Sequence, residues 1–485
     1  MNNKKFFTAL CLIIFFASIL CVAAEDVNET QMLSDSDDVI VESSQDEVLG
    51  DEDDGTFTSL QKKIDDAEEG STITLDRDYA YDEGFSTRGI KIDKNLTIDG
   101  KGHTLDGLSK SRIFIVKLGA IHHNKVILTN IKFTNANTDL YGGAIFNYGD
   151  LTVNNCEFTN NYAKYCGGAI NSIGLLECKN SKFTKNVADG DGGAIFTFSL
   201  RGNFKTLKEL LINDALEGNM DFISTLSNNF TLQYAMEYVT SCVFTGNVAN
   251  GRGGGAIYAF GNIDIKSSTF TSNKAGEKGG AVFGNKDLYI TNSKFTSNKA
   301  SKYGGAVYFR CHSNTGHYDS NKKWISEVEY FTSLIQGSIF TKNSASKGGA
   351  IYGFKSSSTD KHQFKAVKCT FEANSATTGR DVYGGTTSGS VFKYLKLTLK
   401  KVKVKKSAKK LVLTAKLTKG KSLIKGKTIT FKFNGKTYKA KTNKKGIAKV
   451  TIKKSVLKKL KVGKKVKYQA KYGKLTVKKT AKVKK

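Results

Sequence analysis

Residues 158–170 read FTNNYAKYCGGAI, and this stretch decides the fold because its pattern returns along the middle of the chain. A phenylalanine is followed by asparagine three residues later, by alanine five residues later and, in all but the last copy, by a Gly-Gly-Ala-Ile or Gly-Gly-Ala-Val block. The phenylalanines are Phe158, Phe183, Phe244, Phe270, Phe295, Phe340 and Phe371, with a truncated precursor at Phe133. The asparagines are Asn161, Asn186, Asn247, Asn273, Asn298, Asn343 and Asn374. Uninterrupted copies start 25 or 26 residues apart, which marks a structural repeat.

A unit of this length cannot bury a core by itself, so the copies must stack on one another. Each copy holds two or three short strand-like segments separated by asparagine and Gly-Gly turns, and glycine accepts the positive φ angles that such turns use. In a stack every strand pairs with its equivalent about 4.8 Å away, phenylalanine packs on phenylalanine, and asparagine amides form a ladder. The repeat therefore predicts an all-β protein whose main domain is a right-handed parallel β-helix about 50 Å long.

We expect the β-helix to span residues 55–392. A short helix capped by Ser59, with Leu60, Ile64 and Ala67 on one face, is expected to cover its open end. Two insertions interrupt the repeat, near residues 199–241 and 310–337. Insertions in stacked repeats emerge as loops on one face, which is often the binding face. The second insertion contains the only tryptophan, Trp324, which we include among the candidate ligand-binding residues.

Residues 1–24 have the pattern of a secretory signal peptide: two lysines, an apolar run and the small residues Val22-Ala23-Ala24. The pattern predicts a secreted or cell-surface protein. An uncleaved anchor is the alternative, because the apolar run is at the lower limit for crossing a bilayer. Residues 25–54 hold thirteen acids and no base, which predicts an acidic disordered segment that is a linker, a pro-segment or a cover for the basic tail.

Residues 393–485 hold 36 lysines, no arginine and no acid, and they alternate apolar and polar residues as strands do. Asn434-Gly435 between two such runs is a strong hairpin signal, and about seven strands predict a small Ig-like β-sandwich. The lysines predict attraction to an anionic cell-wall or envelope polymer. Specific nucleic-acid binding is not expected, because base reading favours arginine. A charged surface that serves solubility alone is the alternative.

An aromatic residue follows the Gly-Gly-Ala-Ile or Gly-Gly-Ala-Val block in six copies. These residues are Phe146, Phe196, Tyr258, Phe283, Tyr308 and Tyr352, and Asn171 interrupts the series. Neighbouring strand residues point to opposite faces, so the aromatic rings face outward if Ile145 and its equivalents face inward. An exposed row of rings would suit stacking on sugar rings or on protein surfaces. The alternative is a local bend that buries both positions.

Catalytic, cofactor and metal sites are not expected. Glycoside hydrolysis needs two carboxylates that face one sugar bond. Asp139, Asp189 and Asp191 lie near turns, and Asp189 and Asp191 are close enough in sequence to form such a pair. A solvated turn explains these acids equally well. Cys156, Cys242 and Cys369 stand two residues before a repeat phenylalanine, where other copies place serine, so they are expected to pack in the core. Cys311, His312 and His317 include residue types that bind zinc, but no partner cysteine pair accompanies them, so no zinc site is expected.

The pairing of F-x-x-N with G-G-A-[IV] resembles the repeat of the chlamydial polymorphic outer-membrane proteins. The wider layout resembles the adhesin-like surface proteins of methanogenic archaea, since residues 57–75 and TIDGKGHTLDG at 97–107 are similar to the start of their β-helix. The C-terminal strands resemble their bacterial Ig-like modules. The resemblance covers residues 57–485, implies cell-surface adhesion and supplies no catalytic residue.

We therefore expect an adhesin-like protein, secreted or on the cell surface, whose β-helix binds a glycan or a surface protein of another cell while the basic domain associates with the wall or envelope. A structural envelope component without a specific ligand is the first alternative. A secreted polysaccharide lyase or glycosidase is the second.

Overall fold

Between residues 72 and 388 the chain climbs in repeated turns, each built from up to four short parallel strands. In the computed structural model, one regular turn consists of Ile145–Asn147, Asp150–Asn154, Glu157–Thr159 and Tyr162–Ala163. Each strand pairs in parallel with its equivalents in the turns before and after, which gives four sheets, numbered 1 to 4 in that order. The fold is therefore an all-β parallel β-helix, as the repeat predicts.

The structure describes residues 53–117, 124–198, 200–201, 233–310, 312–318, 324–330, 332–354, 364–420, 422–473 and 475–485. The predicted signal peptide and residues 25–52 of the acidic segment lie outside the described residues. Two compact units are present, one ending at residue 389 and one of residues 390–485 together with 370–373. The predicted boundary after residue 392 falls three residues later than this division.

The strands of the first unit fall into these sheets. Sheet 1 contains Ile90–Ile92, Phe114–Val116, Ile145–Asn147, Ile170–Ser172, Ile195–Thr197, Ile257–Ala259, Val282–Gly284, Val307–Arg310, Ile351–Phe354 and Val382–Tyr383. Sheet 2 contains Thr72–Thr74, Leu96–Asp99, Lys125–Thr129, Asp150–Asn154, Leu176–Lys179, Met236–Thr240, Asn262–Lys266, Leu288–Thr291, Ser333–Gln336, Phe364–Val367 and Gly385–Ser388. Sheet 3 contains Tyr79–Ala80, Thr104–Asp106, Lys132–Thr134, Glu157–Thr159, Lys182–Thr184, Val243–Thr245, Thr269–Thr271, Lys294–Thr296 and Ile339–Thr341. Sheet 4 contains Asn137–Thr138, Tyr162–Ala163, Val187–Ala188, Val248–Ala249, Lys274–Ala275 and Lys299–Ala300.

The repeat phenylalanines form one buried column along sheet 3. From Phe133 to Phe340 adjacent ring centroids are 4.6–4.8 Å apart, and the rings are within 7° of parallel. Phe183 and Phe244 are separated by the longer insertion, yet their centroids are 4.7 Å apart, as in uninterrupted copies. The insertion therefore leaves the stacking of the turns unchanged.

The repeat asparagines form a second column at the corner between sheets 3 and 4. In each corner a residue with positive φ, such as Asn160 at 58°, turns the chain, and the next residue points into the core. The Asn273 amide is fully paired: its oxygen accepts hydrogen bonds from the backbone and side-chain nitrogens of Asn247 at 3.0 and 2.9 Å. Its nitrogen donates to the side-chain oxygen of Asn298 and to the Phe244 carbonyl, both at 3.0 Å. The ladder satisfies buried corner amides that no strand can pair.

A helix covers the first turn, but its cap differs from the prediction. The helix is Phe57–Asp66, and Thr56 is the N-cap residue, whose hydroxyl accepts from the Ser59 backbone nitrogen at 3.1 Å. The Ser59 hydroxyl accepts in return from the Thr56 nitrogen at 3.1 Å, so Ser59 is the third helical residue of a capping box. Ala67 lies beyond the helix as its C-cap. Phe57, Leu60 and Ile64 form the buried face.

The second unit contains two sheets that share one apolar core. The four-stranded sheet consists of Leu395–Leu399, Lys410–Lys419, Ser422–Leu423 and Ile447–Lys453. The five-stranded sheet consists of Val404–Lys405, Thr428–Phe433, Lys436–Lys441, Lys465–Tyr472 and Leu475–Lys484. A short helix, Lys454–Leu457, follows the strand Ile447–Lys453, and Thr370–Glu372 pairs with Val391–Phe392. Asn434 and Gly435, with φ of 45° and 81°, form the predicted hairpin turn.

We expect Asn273→Ala to lower the free energy of unfolding by about 3–5 kcal/mol, because the change leaves several buried donors and acceptors without a partner. Chemical denaturation followed by circular dichroism measures the loss. Lys274→Ala is the matched control, since Lys274 is exposed one residue away, and its effect should stay within about 0.5 kcal/mol. Equal effects of the two changes would contradict a role for the ladder.

The last amide of the ladder makes stability depend on pH. Asn374 donates to Asp381 at 2.9 Å, and burial raises the pKa of Asp381 to about 6. The carboxyl group therefore contributes stability below its ordinary pKa of 3.8, and this contribution is lost as the pH rises to about 6. Asp381→Asn keeps the acceptor and removes the charge, so the variant should exceed the wild type in stability above pH 6 and match it near pH 4. Denaturation midpoints at both pH values test this, and a difference that does not change with pH would contradict it.

Candidate functional site

The aromatic row exists as a column of rings on the side of sheet 1 that faces away from Ile145 and its equivalents. From Phe196 to Tyr352 adjacent ring centroids are 4.3–5.6 Å apart and the rings are stacked. Phe146 stands apart beyond Asn171 and packs with Tyr141 and Ile115. The expected alignment of the row is therefore present, but alignment alone does not make it accessible.

The expectation that the rings are exposed is wrong. Phe146 is 0% exposed, Tyr258, Phe283, Tyr308 and Tyr352 are 4–9% exposed, and Phe196 is partly buried. The connection from sheet 4 back to sheet 1 folds over the column, as the alternative of a local bend requires. These rings cannot offer their faces to a sugar.

The cover is a column of its own, in which Gly253, Lys278, Tyr303 and Lys347 pair successively through single parallel bridges. This cover contacts the rings closely. The Lys278 ammonium lies 5.6 Å from the Tyr308 ring centroid, and the ring centroids of Tyr303 and Tyr352 are 4.7 Å apart. At Gly253 a β-carbon would come within 2.6 Å of the Phe283 ring, so only glycine fits there.

An ion pair between a buried carboxylate and a half-exposed guanidinium lies within the cover. Asp191 is 4% exposed, accepts a hydrogen bond from the Gly253 nitrogen at 2.7 Å and lies 3.4 Å from the Arg252 guanidinium. Burial raises the pKa of Asp191, which the Arg252 charge partly offsets. Burial also lowers the pKa of Lys278. The Asp191 carboxylate therefore has both a backbone and a charged partner inside the cover.

The acids near turns have separate structural partners. The Asp189 carboxylate accepts from the Tyr162 hydroxyl at 2.6 Å and from the Asn250 amide at 2.9 Å, and these bonds lower its pKa. Asp191 bonds within the cover instead, and Asp139 is exposed in a turn. The structure therefore does not bring Asp189 and Asp191 together around a common partner.

The three cysteines of the repeat occupy the inward position of the corner between sheets 2 and 3. Cys156, Cys242 and Cys369 are buried, and burial raises the pKa of Cys156 and Cys242 to about 12. In other turns a serine hydroxyl fills this position and accepts a hydrogen bond from a backbone nitrogen of the preceding turn. The Ser293 hydroxyl, for example, accepts from the Ser268 backbone nitrogen at 3.1 Å. Within the described ranges, no group of three or more potential metal ligands lies together. No helix in those ranges is long and apolar enough to cross a membrane.

The long connections of the β-helix all leave at one corner, the one between sheets 1 and 2. Regular turns cross this corner in two or three residues, as at 148–149 and 285–287. The extended connections at this corner are residues 117–124, 198–235, 311–332 and 355–363. By contrast, from residue 125 to residue 369 the corner between sheets 2 and 3 always takes two residues.

Both insertions end earlier than predicted, because Met236–Thr240 and Ser333–Gln336 are already strands of sheet 2. The other described strands of the insertions form antiparallel pairs. Leu200–Arg201 pairs with Gln233–Tyr234 in the first, and His312–Tyr318 pairs with Trp324–Tyr330 in the second. Trp324 therefore begins a strand of this hairpin, and its side chain lies outside what the structure describes.

Sequence reasoning missed Glu237, which lies where the longest insertion rejoins the β-helix. Glu237 points into the core in the column that places Leu176 before it and Ile263 after it, and it is 2% exposed. Its carboxylate accepts a hydrogen bond from the Thr197 hydroxyl. The signal was present in the sequence as an acid at an otherwise apolar register position.

The Chlamydia polymorphic membrane protein repeat is the family model that matches the chain. It matches residues 155–173, 180–197, 241–259, 267–285, 292–310 and 337–353. These repeats indicate a surface or outer-membrane type of repeat protein. The chain is also similar to a solved structure described as a new PL6 alginate lyase complex with trisaccharide, at 10% identity and a TM-score of 0.32, over 69% of this chain and 82% of that one. At that score the likeness supports no inference about activity. No curated protein matches the chain.

We expect Phe283→Ala to lower the free energy of unfolding by about 3–5 kcal/mol, because the ring is buried between Tyr258 and Tyr308. Tyr238→Ala is the control, since Tyr238 is an aromatic residue on sheet 2 with 42% of its surface exposed. Its effect should stay below about 1 kcal/mol. Thermal and denaturant unfolding measure both changes, and a Phe283→Ala variant as stable as the wild type would contradict the burial of the row.

Proposed function

We propose that this chain is an adhesin-like protein of the cell surface, in which the corner between sheets 1 and 2 contacts a glycan or a surface protein of another cell. The clustering of the extended connections at that corner carries the proposal. From residue 125 to residue 369 the corners between sheets 2 and 3 and between sheets 3 and 4 keep the same two-residue connection from turn to turn, so the stack accepts added residues at the corner between sheets 1 and 2. The matched repeats support a surface location.

We further propose that the second unit associates with an anionic polymer of the wall or envelope. Residues 393–485 carry 36 lysines and no acid, so the sequence within that range provides no partner for these charges. Export through residues 1–24, the Ig-like class of the second unit and kinship with the surface proteins of methanogenic archaea are parts of the same proposal.

Shortening one insertion tests the role of the corner. Replacement of residues 310–332 by Asn-Lys-Asp reproduces the connection at 285–287, which lies in the same register one turn earlier. Phe295 and Phe340 already stack at 4.8 Å across this insertion, so the turns should remain stacked and the unfolding midpoint should stay close to that of the wild type. We expect binding of the full chain to a glycan array or to partner cells to fall at least about tenfold, which corresponds to about 1.4 kcal/mol.

In the control variant only residues 355–363, another connection at the same corner, are shortened. This control shows whether shortening any connection at the corner lowers binding. If both variants bind as the wild type does, the corner is not the contact surface. If the full chain binds neither glycans nor cells, a structural envelope component becomes the better interpretation. Release of unsaturated or reducing sugar ends from a polysaccharide would instead establish an enzyme.

A further inference from the structure

One face of the second unit carries most of its regularly placed lysines. In the five-stranded sheet, Phe431, Tyr468 and Ala470 point into the core, so the residues that alternate with them point outward. The outward, exposed lysines of this sheet are Lys405, Lys432, Lys439, Lys441, Lys465, Lys467, Lys471, Lys478, Lys482 and Lys484. The other outward residues are Gln469 and threonines, which are neutral and able to form hydrogen bonds. We call this surface the lysine face.

Strand register places like charges beside each other on the lysine face. Lys465 lies directly opposite Lys482 in an antiparallel pair, and Lys405 pairs in register with Lys484. Directly opposed like charges destabilise a sheet. The folded face is therefore under electrostatic self-repulsion that an anion bound across several strands would relieve.

The opposite side of the unit has fewer outward lysines, although Lys410 and Lys453 are also directly opposed there. The outward, exposed lysines of the four-stranded sheet are Lys396, Lys410, Lys416, Lys449 and Lys453. Val412 lies among them with 37% of its surface exposed. The two faces belong to the same unit and share its core. Removing the same number of lysines from either face changes the net charge equally, so any difference in binding reports the local charge density of one face.

We infer that the lysine face is the binding site of the second unit and that its ligand is an extended anionic polysaccharide lying across the five strands. This inference rests on the proposed association of the unit with an anionic polymer and assigns that association to one face. The outward lysines are spread over all five strands and do not converge on one point, which fits a polymer with repeated charges better than a small anion. The neutral threonines and Gln469 can donate hydrogen bonds to sugar hydroxyls between the charged groups.

Two full-chain variants with the same net charge test the assignment. One carries Gln at Lys439, Lys465, Lys467, Lys471 and Lys482 of the lysine face, which removes the opposed pair Lys465 and Lys482. The control carries Gln at Lys396, Lys410, Lys416, Lys449 and Lys453 of the other face. Binding to dextran sulfate at low ionic strength is measured by titration, with uncharged dextran as the ligand control. We expect the lysine-face variant to bind at least about tenfold more weakly than the wild type and the control variant to change less than about threefold.

Thermal unfolding separates lost binding from lost folding. At low salt the lysine-face variant should unfold at a higher temperature than the wild type, because its self-repulsion is reduced, and dextran sulfate should raise the midpoint of the wild type more than that of the variant. Equal losses of binding in both variants would show that net charge acts without a preferred face, which overturns the assignment and leaves the proposed association intact. Failure of both the wild type and a chain lacking residues 25–52 to bind would overturn the assignment and the proposed association. If the chain lacking residues 25–52 binds and the wild type does not, the occupant of the face is the chain's own acidic segment, and the assignment to a polysaccharide is wrong.

Discussion

The asparagine ladder is the interaction on which the β-helix depends. At the corner between sheets 3 and 4 the chain must turn sharply while its backbone stays buried, and a buried amide without a partner costs more than a typical hydrogen bond contributes. Asparagine has a side chain short enough to stay in the corner and an amide that both accepts and donates two hydrogen bonds. Each amide between the ends of the column forms hydrogen bonds with the asparagines of the turn before it and the turn after it. Loss of one asparagine therefore leaves groups in both neighbouring turns without a partner. The position of asparagine in the repeat follows from this geometry.

That constraint divides the surface of the first unit into fixed and variable parts. Between residues 125 and 369 the corners between sheets 2 and 3 and between sheets 3 and 4 each take two residues, the first with positive φ and the second buried, and from residue 155 onward that second residue is serine, cysteine or asparagine. The corner between sheets 1 and 2 has buried side-chain bonds only in some turns, as at Asn147 and Ser172, and the extended connections lie there. The equal spacing of Phe183–Phe244 and Phe158–Phe183 shows that a long insertion can leave this corner without disturbing the core. The insertions between described strands are therefore confined to one edge of the first unit.

The sequence predicted the features that repeat at fixed spacing and failed where a distant part of the turn decided the outcome. The columns of phenylalanine and asparagine follow directly from spacing, since equivalent residues must lie one turn apart. Strand alternation correctly placed Tyr258 and Phe283 on the side of sheet 1 opposite the core isoleucines. Alternation does not say what covers that side, and the cover comes from residues such as Lys278 and Tyr303 in the connection from sheet 4. Gly253 was the available sign in the sequence, because it adds a third glycine directly before the Gly254-Gly255 pair, and in the structure its position packs against the Phe283 ring.

Charge is handled differently in the two units, and this difference favours an external partner for the second. In the first unit basic residues find acids on neighbouring turns, as Lys182 does with Glu157 at 2.6 Å and Arg252 with Asp191 at 3.4 Å. Such ion pairs form because strand register places each residue of one turn beside the equivalent residue of the next turn. In the second unit the same registry brings Lys465 beside Lys482, and residues 393–485 contain no acid to separate them. Glutamates placed between these lysines would lower the repulsion within the sheet. Their absence from residues 393–485 is consistent with the proposed polyanion, which would lower the same repulsion by binding.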